Sequence, residues 1–189
     1  MYGLFTKSSP DATRQALHVV LGTPLAAPPG IGQGEVLFGC GCFWGAEKGF
    51  WRLPGVVTTA VGYAGGSAPD PTYGQVCSGR TGHAEVVRVV WDGDRVGFSD
   101  LLKLFWECHD PTQGDGQGND RGSQYRSAIY VNDLALQRLA EASRERYGHQ
   151  LAEAGFGAIT TEIRSDVPFH FAEPAHQQYL AKPGSRPYC

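Results

Sequence analysis

The chain has 189 residues, 41% of them hydrophobic and 19% charged, with a net charge of -3. That length is most simply one globular domain with an ordinary core, and without a Lys/Arg run it lacks the electrostatic footprint of a partner for nucleic acid or anionic lipid. No basic segment leads into an apolar stretch at the N-terminus, and no window approaches the roughly 18–20 apolar residues of a membrane span, so a soluble cytoplasmic protein is expected. Five cysteines, an odd number at irregular spacings, suit a reducing compartment better than a disulfide scaffold.

Residues 1–34 carry "GTPLAAPPGIGQG", rich in Pro and Gly and without helical or strand period, and read as an irregular arm. Val36-Leu37-Phe38 reads as a buried strand, Phe43 to Arg52 as a short helix, and Leu53-Pro54-Gly55 as its stop. A β-branched strand follows from Val56 to Val61, then a long connection from Ala64 to Gly82, of the kind that is usually functional. Ala84 to Trp91 alternates as a strand. Ser99 is the expected cap of a helix ending near Cys108, and "PTQGDGQGNDRG", Pro111 to Gly122, is a second long Gly-rich loop. Tyr125 to Val131 reads as a strand. Asp133 opens the longest helix, with Leu136, Leu139, Ala140 and Tyr147 near one face, and Ala158 to Arg164 is the last strand. Such alternation predicts an α/β sandwich with at least some parallel pairing. Residues 35–189 are expected to be a single domain whose tail, from about residue 181, is flexible.

The chemistry concentrates in "EVLFGCGCFWGAEKGFWRLPG", Glu35 to Gly55. If a strand ends near Phe38 and a helix begins at Phe43, Cys42 sits at the helix N-terminus, where unpaired N–H groups and the macrodipole favour negative charge. A thiol there is lowered toward its nucleophilic thiolate. The adjacent glycines allow the backbone to turn sharply and leave the sulfur open. The plain alternative is a buried small hydrophobe, the commoner role of a free cysteine.

Several motifs stand in order along the chain: "GCFWGAE", "GYAGG", "TYGQVCSGRTGHAEVV", "HDPTQGDGQGNDRGSQYRSAIY" and "HQQYL". Together they resemble the methionine sulfoxide reductase A family over nearly all of residues 35–189. The resemblance implies a two-layer α/β sandwich with a mixed sheet, a ferredoxin-like core of βα units and irregular terminal segments. It implies reduction of methionine-S-sulfoxide, free or in proteins, by a monomer with no metal or organic cofactor, using thioredoxin as reductant. By that match Cys42 is the nucleophile, Phe43 and Trp44 house the sulfoxide methyl group, and Glu85, Tyr73, Tyr125 and Asp120 form the polar side of the site. Cys189, in the tail "AKPGSRPYC", is matched to the family's resolving cysteine, although Arg186-Pro187 replaces the expected glycine neighbourhood.

The reaction asks for these residue types. A sulfoxide is a weak electrophile at sulfur until its oxygen receives a proton or strong hydrogen bonds. A buried, protonated Glu85 would supply one, and the phenols of Tyr73 and Tyr125 would share the developing charge. A dry aromatic wall suits an S-methyl group, and Asp120 would fix the hydrogen-bond network. Each has a structural alternative: core packing for Phe43 and Trp44, solvent for Glu85, loop anchoring for the tyrosines, and an Asx turn for Asp120. His83-Ala84-Glu85 is similar to the H-x-E of zinc deaminases, but no P-C-x-x-C accompanies it, so His83 reads as structural.

Cys40 reads as a packing residue, and Cys77 and Cys108 carry no motif-based claim to catalysis. A metal module would need compact ligand pairs, which are missing. A calcium loop from Asp115 would need Glu where Arg126 stands. The competing reading is a peroxide-reducing thiol enzyme or a redox sensor. The Phe43-Trp44 pair speaks against it, since a peroxide has no methyl group to house.

Overall fold

A computed structural model describes residues 10–186. After α1 (Pro10–Arg14), the alternation in the sequence becomes β1 (Gln33–Cys40), α2 (Phe43–Trp51), β2 (Val56–Ala64), α3 (Tyr73–Cys77), β3 (Ala84–Asp92) and α4 (Phe98–Glu107). There follow β4 (Gly116–Gln117), β5 (Asp120–Arg121), β6 (Ser127–Tyr130), α5 (Leu134–Glu153), β7 (Glu162–Arg164) and β8 (Phe169–Phe171). Six strands form one sheet in the order β7-β6-β1-β3-β2-β8, while β4 and β5 pair as a separate hairpin. β3 lies antiparallel between β1 and β2, and β6 is antiparallel to β1. The α2 crossover therefore joins two parallel strands split by a third, and the order β6-β1-β3-β2 is ferredoxin-like. β6 and β7 pair in parallel, which makes the sheet mixed.

Alternation along β3 decides what each face receives. Val87, Val89 and Trp91 share a core with Phe50 of α2 and with Leu101 and Phe105 of α4. Ala84 and Val86 pack on the opposite face with Leu37, Ala128 and Tyr130. Glu85 shares the parity of Val87 and so points to the helix side. Arg88 points the other way, donating to the carbonyls of Leu25 (2.8 Å) and Ala27 (2.7 Å) and pairing with Glu35. It fastens the Pro/Gly-rich segment across that face.

Several local expectations are corrected. Gly97, not Ser99, is the N-cap of α4; its amide is held by Asp100 Oδ2 at 3.0 Å, and Ser99 lies within the first turn. The last expected strand, Ala158 to Arg164, shortens to β7, because Thr160 is drawn away by Pro111, its amide donating to that carbonyl at 2.8 Å. Along α5 the buried stripe is Leu136, Ala140, Ser143 and Tyr147, whereas Leu139, one position off it, is 51% exposed. The connection from Ala64 to Gly82 contains α3, opened by a capping box between Thr72 and Gln75. Tyr125 belongs to a 3-10 turn, Ser123–Tyr125, rather than to a strand. Sequence periodicity had not signalled β8. Among the described residues no helix is long and apolar enough to cross a membrane.

One buried polar chain ties three distant segments together. His18 Nδ1 accepts from the amides of Val20 and Leu21, both at 3.1 Å, so its proton sits on Nε2 and is donated to Thr59 Oγ1 at 2.9 Å. Thr59 donates to Glu47 Oε1 at 2.9 Å. Gln178 adds its amide to Glu47 Oε2 (2.8 Å) and its Nε2 to Oε1 (2.7 Å). Burial lowers His18 from 6.5 to about 4 and raises Glu47 from 4.5 to about 7, the latter against the pull of its Gln178 and Thr59 donors.

Between pH 4.5 and 6.5 the unfolded pair holds one proton, on the histidine, and the folded pair holds one, on the carboxyl. The pair then contributes almost no pH slope to stability. Removing one member exposes the other. In His18→Gln the raised Glu47 remains, whose stabilisation is full below pH 4.5 and is lost as pH rises toward 7. In Glu47→Gln the lowered His18 remains, whose contribution is full above pH 6.5 and is lost as pH falls toward 4. Relative to the parent, urea unfolding across this window should give slopes of opposite sign, about 1 kcal/mol per pH unit each. Parallel profiles for all three proteins would refute the proton transfer.

Candidate active site

β1 ends at Cys40, and Gly41 turns the chain out of the sheet with φ +84; a Cβ there would lie 2.7 Å from the Gln117 side chain. Cys42 is consequently the N-cap of α2, partly exposed, with φ -53 and ψ 121. The first amide of the helix, Phe43 N, donates to Glu85 Oε2 at 3.0 Å. Glu85 is 1% exposed, so the solvent-facing alternative does not hold. Strand parity and the helix start have brought a carboxyl and a thiol to one corner.

Two phenols lie close enough to feel this carboxyl. Tyr73, at the start of α3, is raised well above the ordinary phenol range by burial, by its contact with Cys77 and by the charge of Glu85. Tyr125 is likewise raised, first by burial and then by its acidic neighbours, Glu85 foremost. Both phenols therefore remain protonated donors at neutral pH. A cavity of about 440 Å³ reaches the thiol, lined by Cys42, Gly45, Cys108, Gln117 and Asp120. Asp120 stands in β5 of the small hairpin.

The aromatic side is built by the C-terminal segment. Phe43 is 1% exposed and packs against Tyr63 (5.9 Å between centroids) and His176 (5.7 Å). Trp44 is half-buried, stacks on Tyr179 at 4.0 Å, and donates its indole N–H to His176 Nδ1 at 3.3 Å. The His176 ring also lies 4.4 Å from Tyr73. Burial lowers His176, which keeps it a neutral acceptor for the indole. Glu173 binds the Tyr73 amide at 2.8 Å and the Tyr63 hydroxyl at 2.9 Å.

Cys42, Phe43, Trp44, Glu85, Tyr73, Tyr125 and Asp120 are thus gathered around one helix start. Cys189 lies outside the described residues. Sequence reasoning missed Tyr63, Glu173, His176 and Tyr179; of these Tyr63 had a signal within "GYAGG", and His176 and Tyr179 within "HQQYL". It also missed the approach of Cys40, Cys108 and His109, whose ligand atoms lie within 4.8 Å of one another. His83 holds the long connection, accepting from Gly66 N at 3.1 Å and contacting the Ala68 carbonyl at 2.8 Å.

A thiol at a helix N-cap, beside a buried carboxyl on a ferredoxin-like sandwich, defines the class as a candidate thiol enzyme. Residues 34–189 match the family described as "Peptide methionine sulfoxide reductase", and the chain belongs to that family. A peptide methionine sulfoxide reductase MsrA from Azotobacter vinelandii is 60% identical over 175 residues, 92% of this chain and 80% of the relative. The solved methionine sulfoxide reductase A of Corynebacterium diphtheriae is 48% identical with a TM-score of 0.84, covering 91% of this chain and 83% of its own. Mxr1 from Saccharomyces cerevisiae in reduced form is 29% identical with a TM-score of 0.77, covering 86% and 92%. The same yeast protein solved in complex with Trx2 aligns at 20% identity with a TM-score of 0.55, covering 81% and 89%, and speaks for the fold alone.

His176 supports three aromatic rings and accepts the only hydrogen bond described for the Trp44 indole. His176→Ala should lower the unfolding free energy by about 2–4 kcal/mol, from the lost ring and the orphaned N–H. It should also shift tryptophan emission to the red as Trp44 becomes wetter. Unchanged emission and stability would mean that Trp44 is held by Tyr179 alone.

Proposed function

We propose that this chain reduces methionine-S-sulfoxide, free or in proteins, to methionine, with Cys42 as nucleophile. The observation that carries the reading is the Phe43 amide bound to Glu85 Oε2 at 3.0 Å, immediately after Cys42. That contact anchors the carboxyl beside the thiol, from where Glu85 carries a proton toward the sulfoxide oxygen. Tyr73 and Tyr125 donate to that same oxygen as charge develops. Phe43 and Trp44 form the apolar wall for the S-methyl group, with His176 holding the indole in place. Asp120, on the cavity wall, orders the hydrogen bonds around the thiol. Residues 35–189 act as the catalytic unit and residues 1–34 as an arm around it.

The thiolate of Cys42 attacks the sulfoxide sulfur as Glu85 protonates its oxygen. Oxygen is transferred to the thiol, methionine leaves, and Cys42 becomes a sulfenic acid: the sulfoxide is reduced by two electrons and the thiol oxidised by two. Cys189 then condenses with the sulfenic acid, forming a disulfide and releasing water. A thioredoxin-type dithiol protein returns both thiols by exchange. The odd number of cysteines supports a cytoplasmic setting.

Glu85→Gln keeps size and the Phe43 contact but removes the transferable proton. In a dithiothreitol-driven assay with separate S and R epimers, kcat for the S epimer should fall by roughly 10²–10⁴ with the fold intact. An unchanged rate across neutral pH would make Glu85 a bystander. Cys189→Ser should still release about one methionine per enzyme in a single turnover and accumulate a Cys42 sulfenic acid that dimedone traps. It should also lose thioredoxin-driven recycling. Full recycling in that variant would give the resolving role to another cysteine.

A further inference from the structure

Two thiols that the proposed chemistry leaves unused meet on the wall of its cavity. Cys40 ends β1 and is buried, 7% exposed, among the core residues under the helices. Cys108 caps the end of α4 and is exposed. Both line the 440 Å³ cavity onto which Cys42 opens. With His109, their ligand atoms lie within 4.8 Å of one another.

The trio does not suit a metal. His109 Nδ1 lies 2.7 Å from the Phe105 carbonyl, which can only accept, so this nitrogen carries the proton. Its Nε2 then accepts from Ser127 Oγ at 2.8 Å. Neither nitrogen has a lone pair to offer without breaking one of these bonds, and two thiols fall short of the four ligands of a structural site. What remains is a dithiol with unequal members. Burial raises Cys40 and keeps its proton on, whereas Cys108 is lowered, first by the hydrogen bond from Cys40 and then by His109. A thiolate open to a cavity, beside a protonated thiol a few ångströms behind it, is arranged to react at one sulfur and close with the other.

We propose that Cys40 and Cys108 form a second redox-active dithiol, which reduces small hydroperoxides at Cys108 and closes to a Cys40–Cys108 disulfide beside Cys42. In the first step the Cys108 thiolate attacks the distal oxygen of ROOH. An S–O bond forms, the O–O bond breaks, and ROH leaves with one proton taken up, giving the Cys108 sulfenic acid. In the second step the Cys40 thiol attacks that sulfur, the S–S bond forms and water leaves. Two thiols are oxidised by two electrons and one hydroperoxide is reduced by two. Closing the bond brings the sulfurs from within 4.8 Å to about 2 Å. A dithiol reductant reverses it by exchange.

The test uses the full chain carrying Cys42→Ser, so the residue assigned to sulfoxide reduction takes no part and either reading can fail without the other. The variant is treated with stoichiometric hydrogen peroxide and mapped by peptide analysis without reduction. The expected result is one Cys40–Cys108 crosslink per peroxide consumed, reversed by dithiothreitol. Adding Cys40→Ala should leave a Cys108 sulfenic acid that dimedone traps, and adding Cys108→Ala should slow peroxide consumption by about tenfold or more. Should Cys40→Ala fail to fold, the crosslink map of the Cys42→Ser protein decides alone. The proposal is overturned if Cys40 and Cys108 stay open to alkylation after peroxide, or if Cys108→Ala leaves consumption unchanged.

Discussion

The hydrogen bond from the Phe43 amide to Glu85 joins sheet, helix and candidate site in a single contact. A helix start leaves amides without partners, and a buried carboxyl needs donors. Each group here answers the other's demand. Because Glu85 is fixed on β3, flanked by β1 and β2, the start of α2 is fixed with it. The thiol that precedes Phe43 has its position set by a strand that is buried along all but its last residue. Tyr73 and Tyr125 arrive from the two long connections and meet a carboxyl that is already in place.

A second buried carboxyl, Glu47, lies on the same buried face of α2. It lies one helical turn after Phe43 and receives donors from β2 and from Gln178. Gln178 adjoins Tyr179, which stacks on Trp44, so the network that orders Glu47 also brings the C-terminal segment against the aromatic wall. His18 extends the network into the Pro/Gly-rich arm through Thr59. The arm is therefore wired to the same helix that presents Cys42, through charge balance as well as packing.

The thiols are arranged at two depths. Cys42 leaves the strand through the turn at Gly41, whereas Cys40 stays within it and faces the helix layer. That single turn separates a thiol at a helix start from a thiol held in the core, and α4 brings Cys108 to the latter. Three thiols, Cys40, Cys42 and Cys108, therefore line one cavity.

What the sequence determined by itself is local. The alternation of Ala84 to Trp91 places Glu85 on the face of Val87, the cap at Asp133 starts α5, and the Gly-rich corner sets Cys42 at a helix start, because dihedral preference and side-chain period act over a few residues. The motifs carried the family, and with it the residues at the corner. Only the tertiary structure decided which segments meet. Glu173 reaches Tyr63 and Tyr73 from about a hundred residues away, Thr160 is claimed by Pro111 rather than by a strand, and Cys40 finds Cys108 across the helix–sheet interface. None of these leaves a periodic trace, because sheet order and helix docking are fixed by long-range pairing, to which each segment contributes only one half.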